Sequence, residues 1–329
     1  VIDCETHLVQ WQWQNGFGID VAAADIDGDG RDEVIFGESW NWVWAFDIDV
    51  QLPKWSIAMG DIDCITVANA DADPALEILI GEGQWGDVVV YDTVTQVLEY
   101  SIDNPEHGVT SVAVGDTDGD GTVEVIHGAG HSSSGPDFWY VSSAATQQHE
   151  WTSPEVASGF KGPVRGDIDN DGTDELVCVT RSLQNNGTLV LIFDAATNAL
   201  EYMSGPIGSS SYGSSPRDIA LADVTGDGDM EIFIVDRNLT VFDWSGTALT
   251  EIWSINTGFS GPSYHSIAIA DVDTDGTLEV MLGGEQFLHM FEFGAATETW
   301  HSFYLGGQIS EIHIGNSDIT PEPEIHALS

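Results

Sequence analysis

Apolar residues in this chain fall in short runs rather than at helical three- and four-residue spacing. One such run is Val21–Ala24, another is Val34–Phe36, and a third reads "VWAFD" up to Asp47. A fourth run ends on an aromatic residue, Trp55. Gly, Pro, Asn and Asp stand between the runs. Short runs rich in β-branched and aromatic residues, punctuated by turn formers, predict strands, and no segment sustains a helical period. The pattern therefore predicts an all-β chain.

The strand pattern repeats. "ADIDGDGRDEVIFG" from Ala24 returns as "GDTDGDGTVEVIHG" from Gly115, "GDIDNDGTDELVCV" from Gly166, "ADVTGDGDMEIFIV" from Ala222 and "ADVDTDGTLEVMLG" from Ala270. "ANADADPALEILIG" from Ala68 and "GNSDITPEPEIHAL" from Gly315 are degenerate copies. The acidic stretches begin at Asp25, Asn69, Asp116, Asp167, Asp223, Asp271 and Asn316, 44 to 56 residues apart. Each copy holds four short runs, with an acidic loop between the first two and an aromatic in the last. These aromatics are Trp55, Tyr100, Trp151, Tyr202, Trp253 and Trp300, and the tryptophans are expected in the core. Four strands per repeat of this length describe a propeller blade.

Seven copies fill residues 1–329 and predict a single seven-bladed β-propeller of four-stranded antiparallel blades. The seventh copy ends after two strands. Its third and fourth are expected at Val1–Asp3 and Leu8–Trp13, with Trp13 in the aromatic position, so that residues 1–14 complete a blade with 307–329. Such two-plus-two closure removes two open sheet edges.

The loops, the blade length and the closure resemble FG-GAP/VCBS repeats, the calcium-loop blades of integrin α-subunit propellers and of some propeller lectins. Phe36-Gly37 is the one Phe-Gly pair at the repeat position and no Gly-Ala-Pro follows it, which places the chain nearer the microbial VCBS-like branch. The WD-type signature is absent. The resemblance implies calcium ligands from loop positions one, three, five and nine, with a backbone carbonyl from position seven.

The acid spacing supports that implication independently. Asp25, Asp27, Asp29 and Glu33 crowd one turn, and their mutual repulsion is relieved by a cation, by protonation or by opening of the loop. Dense carboxylate oxygens suit Ca²⁺. An EF-hand needs an acid at position twelve, where this chain has Phe36, Ile80, His127, Cys178, Ile234 and Leu282.

Four loops carry a full carboxylate set. The first has Asp25, Asp27, Asp29 and Glu33, and the third has Asp116, Asp118, Asp120 and Glu124. The fourth has Asp167, Asp169, Asp171 and Glu175, and the sixth has Asp271, Asp273, Asp275 and Glu279. The fifth has Asp223, Thr225, Asp227 and Glu231. The second has Asn69, Asp71, Asp73 and Glu77, with Pro74 where Gly is usual. The seventh has Asn316, Asp318, Thr320 and Glu324. Carboxylate count alone predicts occupancy by up to seven ions falling in that order, the seventh weakest. The position-seven carbonyls implied by the resemblance belong to Arg31, Ala75, Thr122, Thr173, Asp229, Thr277 and Glu322. The metals are expected to be structural.

Composition narrows the partners. The chain has 55 Asp and Glu against 7 Lys and Arg, a net charge of -48, and 42% hydrophobic residues. That composition allows a sizeable core. It does not allow a nucleic-acid footprint, and an anionic membrane surface is disfavoured. No apolar stretch is long enough for a membrane span, and no leader pattern follows Val1. The acidity fits a saline or calcium-rich exterior, so an extracellular protein is expected, secreted or at a cell surface. Asn186 and Asn238 head glycan-acceptor triplets, consistent with export. Cys4, Cys64 and Cys178 form no Cys-x-x-Cys motif. Buried free thiols are the favoured reading, with one disulfide left open.

The rim opposite the acidic loops collects aromatic residues among Gly and Ser: Trp40, Trp42, Trp85, His131, Phe138, Phe160, Tyr212, Phe259 and Tyr264. Trp40, Trp42 and Trp85 suit stacking on a sugar or a protein surface, or capping of the blades. Lys161, Arg217 and His265 recur six residues ahead of consecutive loops, where they either form a carboxylate-binding pocket or pair locally with the abundant acids. Arg165 stands where other copies are apolar.

A non-catalytic binding or adhesion module is the leading expectation, with carbohydrate and then protein as ligand. A polysaccharide lyase or hydrolase at the channel mouth is the rival, and it would draw on His265 with Arg217; His107, His127, His131 and His265 could cluster, but each also has a strand or turn reading. A structural repeat within a larger surface protein or assembly is the third reading.

Overall fold

A computed structural model describes residues 1–13, 18–38, 41–71, 73–128, 137–156, 160–181, 188–207, 216–256, 263–318, 320 and 322–329. Among these residues there are six four-stranded antiparallel sheets and one three-stranded sheet. Blade one comprises Gly18–Ala24, Glu33–Glu38, Trp42–Asp47 and Leu52–Ala58, and the next five blades repeat that order. The innermost strands contact one another in sequence, and Glu311–Gly315 contacts Gly18–Ala24 to shut the ring. The chain is a seven-bladed all-β propeller.

Residue type follows radial position. Inner strands carry small residues, such as Ala22–Ala24, Ala220, Ala222, Ala268 and Ala270, because the strands converge on the axis. Second strands are buried on both faces, as at Ile78–Ile80, Ile232–Val235 and Val280–Leu282. A strand sandwiched between two neighbouring sheets has no solvent face, which explains its unbroken apolar run. Seven hydrophobic clusters result, each shared by adjacent blades, as where Val190 and Ile192 meet Ile232 and Phe242. Each fully buried Ile or Val contributes on the order of 1.5–3 kcal/mol. The aromatics of the fourth runs are half-buried rather than fully in the core, and they bridge blades: Tyr202 lies 4.7 Å from Trp244, and Trp253 lies 5.3 Å from Phe293.

The N-terminal segment closes the ring. Ile2–Asp3 pairs with Glu324–Leu328 as the third strand of blade seven. The fourth place is held by a single bridge, Ile2 to Val9, rather than by a strand over Leu8–Trp13. Trp11, not Trp13, occupies the aromatic position. The amides of Gln10 and Trp11 both point to the Val1 carbonyl, and the Trp11 ring lies 4.9 Å from Phe46 of blade one. Trp13 stacks beyond it. A cavity of about 250 Å³ opens at this seam, lined by Trp11, Trp13, Phe36, Phe303 and Tyr304. Cys4, Cys64 and Cys178 are buried and free.

Candidate functional site: the acidic loops and the opposite rim

Each acidic loop joins the first and second strands of a blade and wraps its own backbone around carboxylates. In blade one the Asp25 carboxylate accepts the amides of Gly28 and Gly30 at 2.7 and 2.8 Å. Asp29 accepts the amide of Arg31 at 3.0 Å. Equivalent bonds recur from Gly121 to Asp116, Gly172 to Asp167, Gly228 to Asp223 and Gly276 to Asp271, at 2.9–3.0 Å. In blade six Asp271 and Asp273 both accept the Asp275 amide, at 3.0 and 3.1 Å. Of the acids predicted as ligands there, Asp273 and Asp275 stand exposed at the loop surface, whereas Glu279 is buried beneath them. The position-six glycines need φ near +90°, from +89° at Gly121 to +101° at Gly228, which side chains disfavour. Blades two and seven carry Pro74 and Pro321 there, and Pro has no amide to donate. Both begin with Asn instead of Asp. In blade two Asn69 donates its own Nδ2 to the Asp73 carbonyl at 2.8 Å. The two substitutions compensate each other.

Position nine is the most constant feature. The glutamates Glu33, Glu77, Glu124, Glu175, Glu231, Glu279 and Glu324 are all buried. Each turns Oε2 onto the backbone amide of loop position two, from Ile26 to Ser317, at 2.5–3.1 Å. The other oxygen of Glu77 and of Glu324 is buried with no partner, as is Asp169 Oδ1. Orphaned buried oxygens of this kind are costly unless something completes them. Burial, then the charges of Asp71, Glu99 and Asp73, raises Glu77 to about 7. Burial with Asp169, Glu201 and Asp171 raises Glu175 to about 8, and burial with Asp318 and Asp3 raises Glu324 to about 7. Glu33 and Glu231 move the same way, chiefly through burial. Glu279 rises through burial first and then through the charges of Asp273, Glu292 and Asp271.

These groups fit a hard divalent cation. The carboxylate oxygens of Asp25, Asp27 and Asp29 lie within 4.8 Å of one another, as do those of Asp116, Asp118 and Glu124. Some clusters bring in residues that loop spacing does not reveal, Glu99 beside Asp71 and Asp73 among them. Asp92, at the end of the third strand, joins Asp73 and Glu77, and Asp3 joins Asp318 and Glu324 in the closing blade. Asp3 thus adds to the seventh loop a carboxylate absent from its own repeat. Bound there, calcium would neutralise the converging charges and tie the first two strands together, held by the carboxylates of positions one, three, five and nine.

The fourth strand also reaches the loop. In blades one to five it carries a bulge immediately before the aromatic residue, inserting Lys54, Glu99, Glu150, Glu201 and Ile252. Gln10 holds the matching place in blade seven. Lys54 Nζ lies 2.6 Å from Glu33 Oε1 and also contacts Asp27. Gln10 Nε2 donates to Asp3 at 3.0 Å and Asp318 at 2.7 Å. Arg31 pairs with Asp29 at 2.6 Å and with Asp49.

The opposite rim holds the second-to-third-strand turns and the connections between blades. Trp85 is 72% exposed, has φ of +62°, and meets His107 edge-on at 4.6 Å. Trp42 is 39% exposed beside Trp44. Phe160 and Tyr264 are buried. Trp40, His131, Tyr212, Phe259 and Asn186 lie outside the described residues.

Of the expected cations, Arg217 and His265 are in contact with each other, and the charge of Lys161 acts on acidic neighbours. These are Asp20, Asp218 and Glu311, three carboxylates of the first strands of their blades, and burial with Asp218 and Asp20 pushes Glu311 well up. Arg217 Nη1 donates to Ser263 Oγ, to the Tyr264 carbonyl and to the His265 ring at 2.6, 2.7 and 3.0 Å. Burial, then Arg217, lowers His265 to about 4, so its ring is neutral and accepts. Arg165 pairs with Asp174 at 2.6 Å and donates to the Asp116 carbonyl of the preceding blade at 3.0 Å. His127 is buried against Tyr140 and Ser142, and burial lowers it to about 3.

The FG-GAP-like repeat pattern matches residues 167–234 and 223–282, which are the loops and strands of blades four to six. The chain carries FG-GAP-like repeats. By structure it is similar to the Cps50 (Swd1) β-propeller domain of Myceliophteria thermophila, with a TM-score of 0.63 over 96% of this chain and 98% of that one. At 12% identity that likeness speaks to the propeller fold alone. No curated protein matches the chain. The other four blades repeat the geometry of the matched FG-GAP-like ones, down to the amide bond of the position-nine glutamate. Among the described residues, no helix is long and apolar enough to cross a membrane.

Proposed function

We propose that this propeller is an extracellular binding module, non-catalytic, whose FG-GAP-like loops hold structural calcium on one rim while the opposite rim binds a partner. The observation that carries the calcium reading is the orphaned oxygen of Glu77 and of Glu324. Each is buried, faces other carboxylates and has no hydrogen-bond donor. A divalent ion would satisfy it at physiological pH, where the glutamate otherwise resists ionisation.

The binding reading rests on Trp85. A bulky, mostly exposed ring held at positive φ is a strained arrangement. Beside His107, in the blade next to the one carrying Trp42, it offers a flat stacking face, which suits a sugar ring first and a protein surface second. The net charge favours a neutral or cationic partner over an anionic one.

The test is a glycan array with calcium-loaded protein, alongside incubation with candidate polysaccharides. Binding that needs Trp85, without shortened or unsaturated products, supports the proposal. Product release would replace it with a catalytic role for the same rim. Unchanged melting in excess EDTA would remove the calcium.

A further inference from the structure

We propose that the residue inserted by the fourth-strand bulge sets each loop's demand for a divalent ion, and that Lys54 supplies the first loop with a cation of its own. The proposal deepens the calcium reading above and rests on it.

A bulge sends two successive residues to nearly the same side of the sheet. One of them here is the aromatic residue that bridges blades; the other is free to lean over the loop. In blade one it is Lys54, whose Nζ sits between Asp27 and Glu33, 2.6 Å from Glu33 Oε1. The first loop therefore has a positive charge among its carboxylates, and Glu33 Oε1 is partnered. The equivalent oxygens of Glu77 and Glu324 are not. In blade two the same position is Glu99, whose carboxylate lies within 4.8 Å of those of Asp71 and Asp73. There the bulge adds negative charge to a loop that already holds an orphaned buried oxygen. The same bulge position is Glu150 in blade three and Glu201 in blade four, so the inserted residue is acidic there as well. Gln10 in blade seven is neutral and donates to Asp3 and Asp318.

The residue type therefore inverts the ranking that carboxylate count gives. The first loop has four carboxylates but is neutralised from within. The second has three carboxylates of its own, which Asp92 and Glu99 join. Charge complementarity makes loops two to four the sites that require an ion, and makes the first loop the one that closes without it.

Calcium stoichiometry of the full chain, measured by calorimetric titration after chelation, tests this with Lys54→Gln and Glu99→Lys. The expected result is one additional calcium equivalent in Lys54→Gln and one fewer in Glu99→Lys. In EDTA, Lys54→Gln should melt below the wild type and Glu99→Lys above it. Unchanged stoichiometry in both variants, with calcium still bound by the wild type, overturns the bulge proposal and leaves the calcium reading standing. A wild-type chain that takes up no calcium overturns both. Should Lys54→Gln fail to fold, Glu99→Lys decides alone.

Discussion

Glu77 accepts the amide of Ala70 at 2.5 Å through one carboxylate oxygen and buries the other without a partner. The first oxygen shapes the loop; the second, on the calcium reading proposed above, is the one an ion would complete. Glu77→Gln separates them, since the amide oxygen can still accept from Ala70 while the charge is lost. In EDTA at pH 8 the variant should be the more stable protein, because a neutral group replaces a carboxylate facing Asp71, Asp73 and Glu99. With calcium a hundredfold above its Kd, an occupied site contributes about 2.7 kcal/mol, and the variant should lose stability on that order. Thermal melts in EDTA and in calcium check the reversal of sign. A variant less stable than wild type in both conditions would contradict it.

The same carboxylates make metal-free stability depend on pH. Glu77 and Glu324 are raised to about 7 and Glu175 to about 8, against 4.5 for an unperturbed glutamate. An acid raised in the folded state contributes stability that is complete below the unfolded value and disappears as pH climbs through the folded one. The buried histidines act the opposite way and lower down. His127 and His265, lowered to about 3 and about 4, withdraw stability only as pH falls below 6.5. The Val1 amine, lowered by burial from 8.0 to about 6, gains stability as pH rises and is one group against three. Between about pH 6.5 and 8.5 the glutamates therefore prevail, and the chelated protein should lose melting temperature across that window. Calcium, which binds the ionised form, should flatten or reverse the slope. A flat profile in EDTA would show that these carboxylates ionise freely.

The fold was legible because its signal is redundant. Seven copies of one acidic loop fix the blade count, and the unbroken apolar second strands mark sheets stacked face to face. The closing aromatic was misplaced by two residues for a physical reason. Alternation puts Trp11 and Trp13 on the same face and cannot choose between them; the register is set by the Gln10 and Trp11 amides, which share the Val1 carbonyl. A distance rule would have found it. Tyr100, Trp151, Tyr202 and Trp300 each stand eight residues after the residue that pairs with the position-nine glutamate, and Trp11 stands eight after Asp3. Asp3, Asp92 and Lys54 escaped the loop-by-loop reading because they come from other strands, and only the folded blade brings them to the loop. Asp20, Asp218 and Glu311, on which the charge of Lys161 acts, were equally out of reach, since they belong to different blades.

The Trp11 seam should be a stability determinant. Its ring packs on Phe46 of blade one, where residues from the two chain ends meet the first complete blade. A fully buried Trp replaced by Ala loses about 3–5 kcal/mol, and this half-buried one should lose about 2–3 kcal/mol. Loosening the seam also exposes strand edges to other molecules. Trp11→Ala should therefore lower the denaturation midpoint and promote self-association, which chemical denaturation and light scattering would register. A variant within about 0.5 kcal/mol of wild type would mean that Ile2–Asp3 closes the ring without help.

Trp85 offers a separation of stability from binding. Its φ of +62° belongs to the left-handed region, where a side-chain-bearing residue loses roughly 1–2 kcal/mol and Gly does not. Because the ring is 72% exposed, removing it forfeits little packing. Trp85→Gly should consequently be more stable than wild type by about 1 kcal/mol, and Trp85→Ala should sit within about 0.5 kcal/mol of it. If the opposite rim binds through this ring, both variants should lose at least about tenfold in affinity, or about 1.4 kcal/mol. Gain of stability with loss of binding in one variant would identify the strained turn as one kept for recognition. Trp85→Gly that loses stability would show that its contact with His107 holds the turn, and the ring would then be structural.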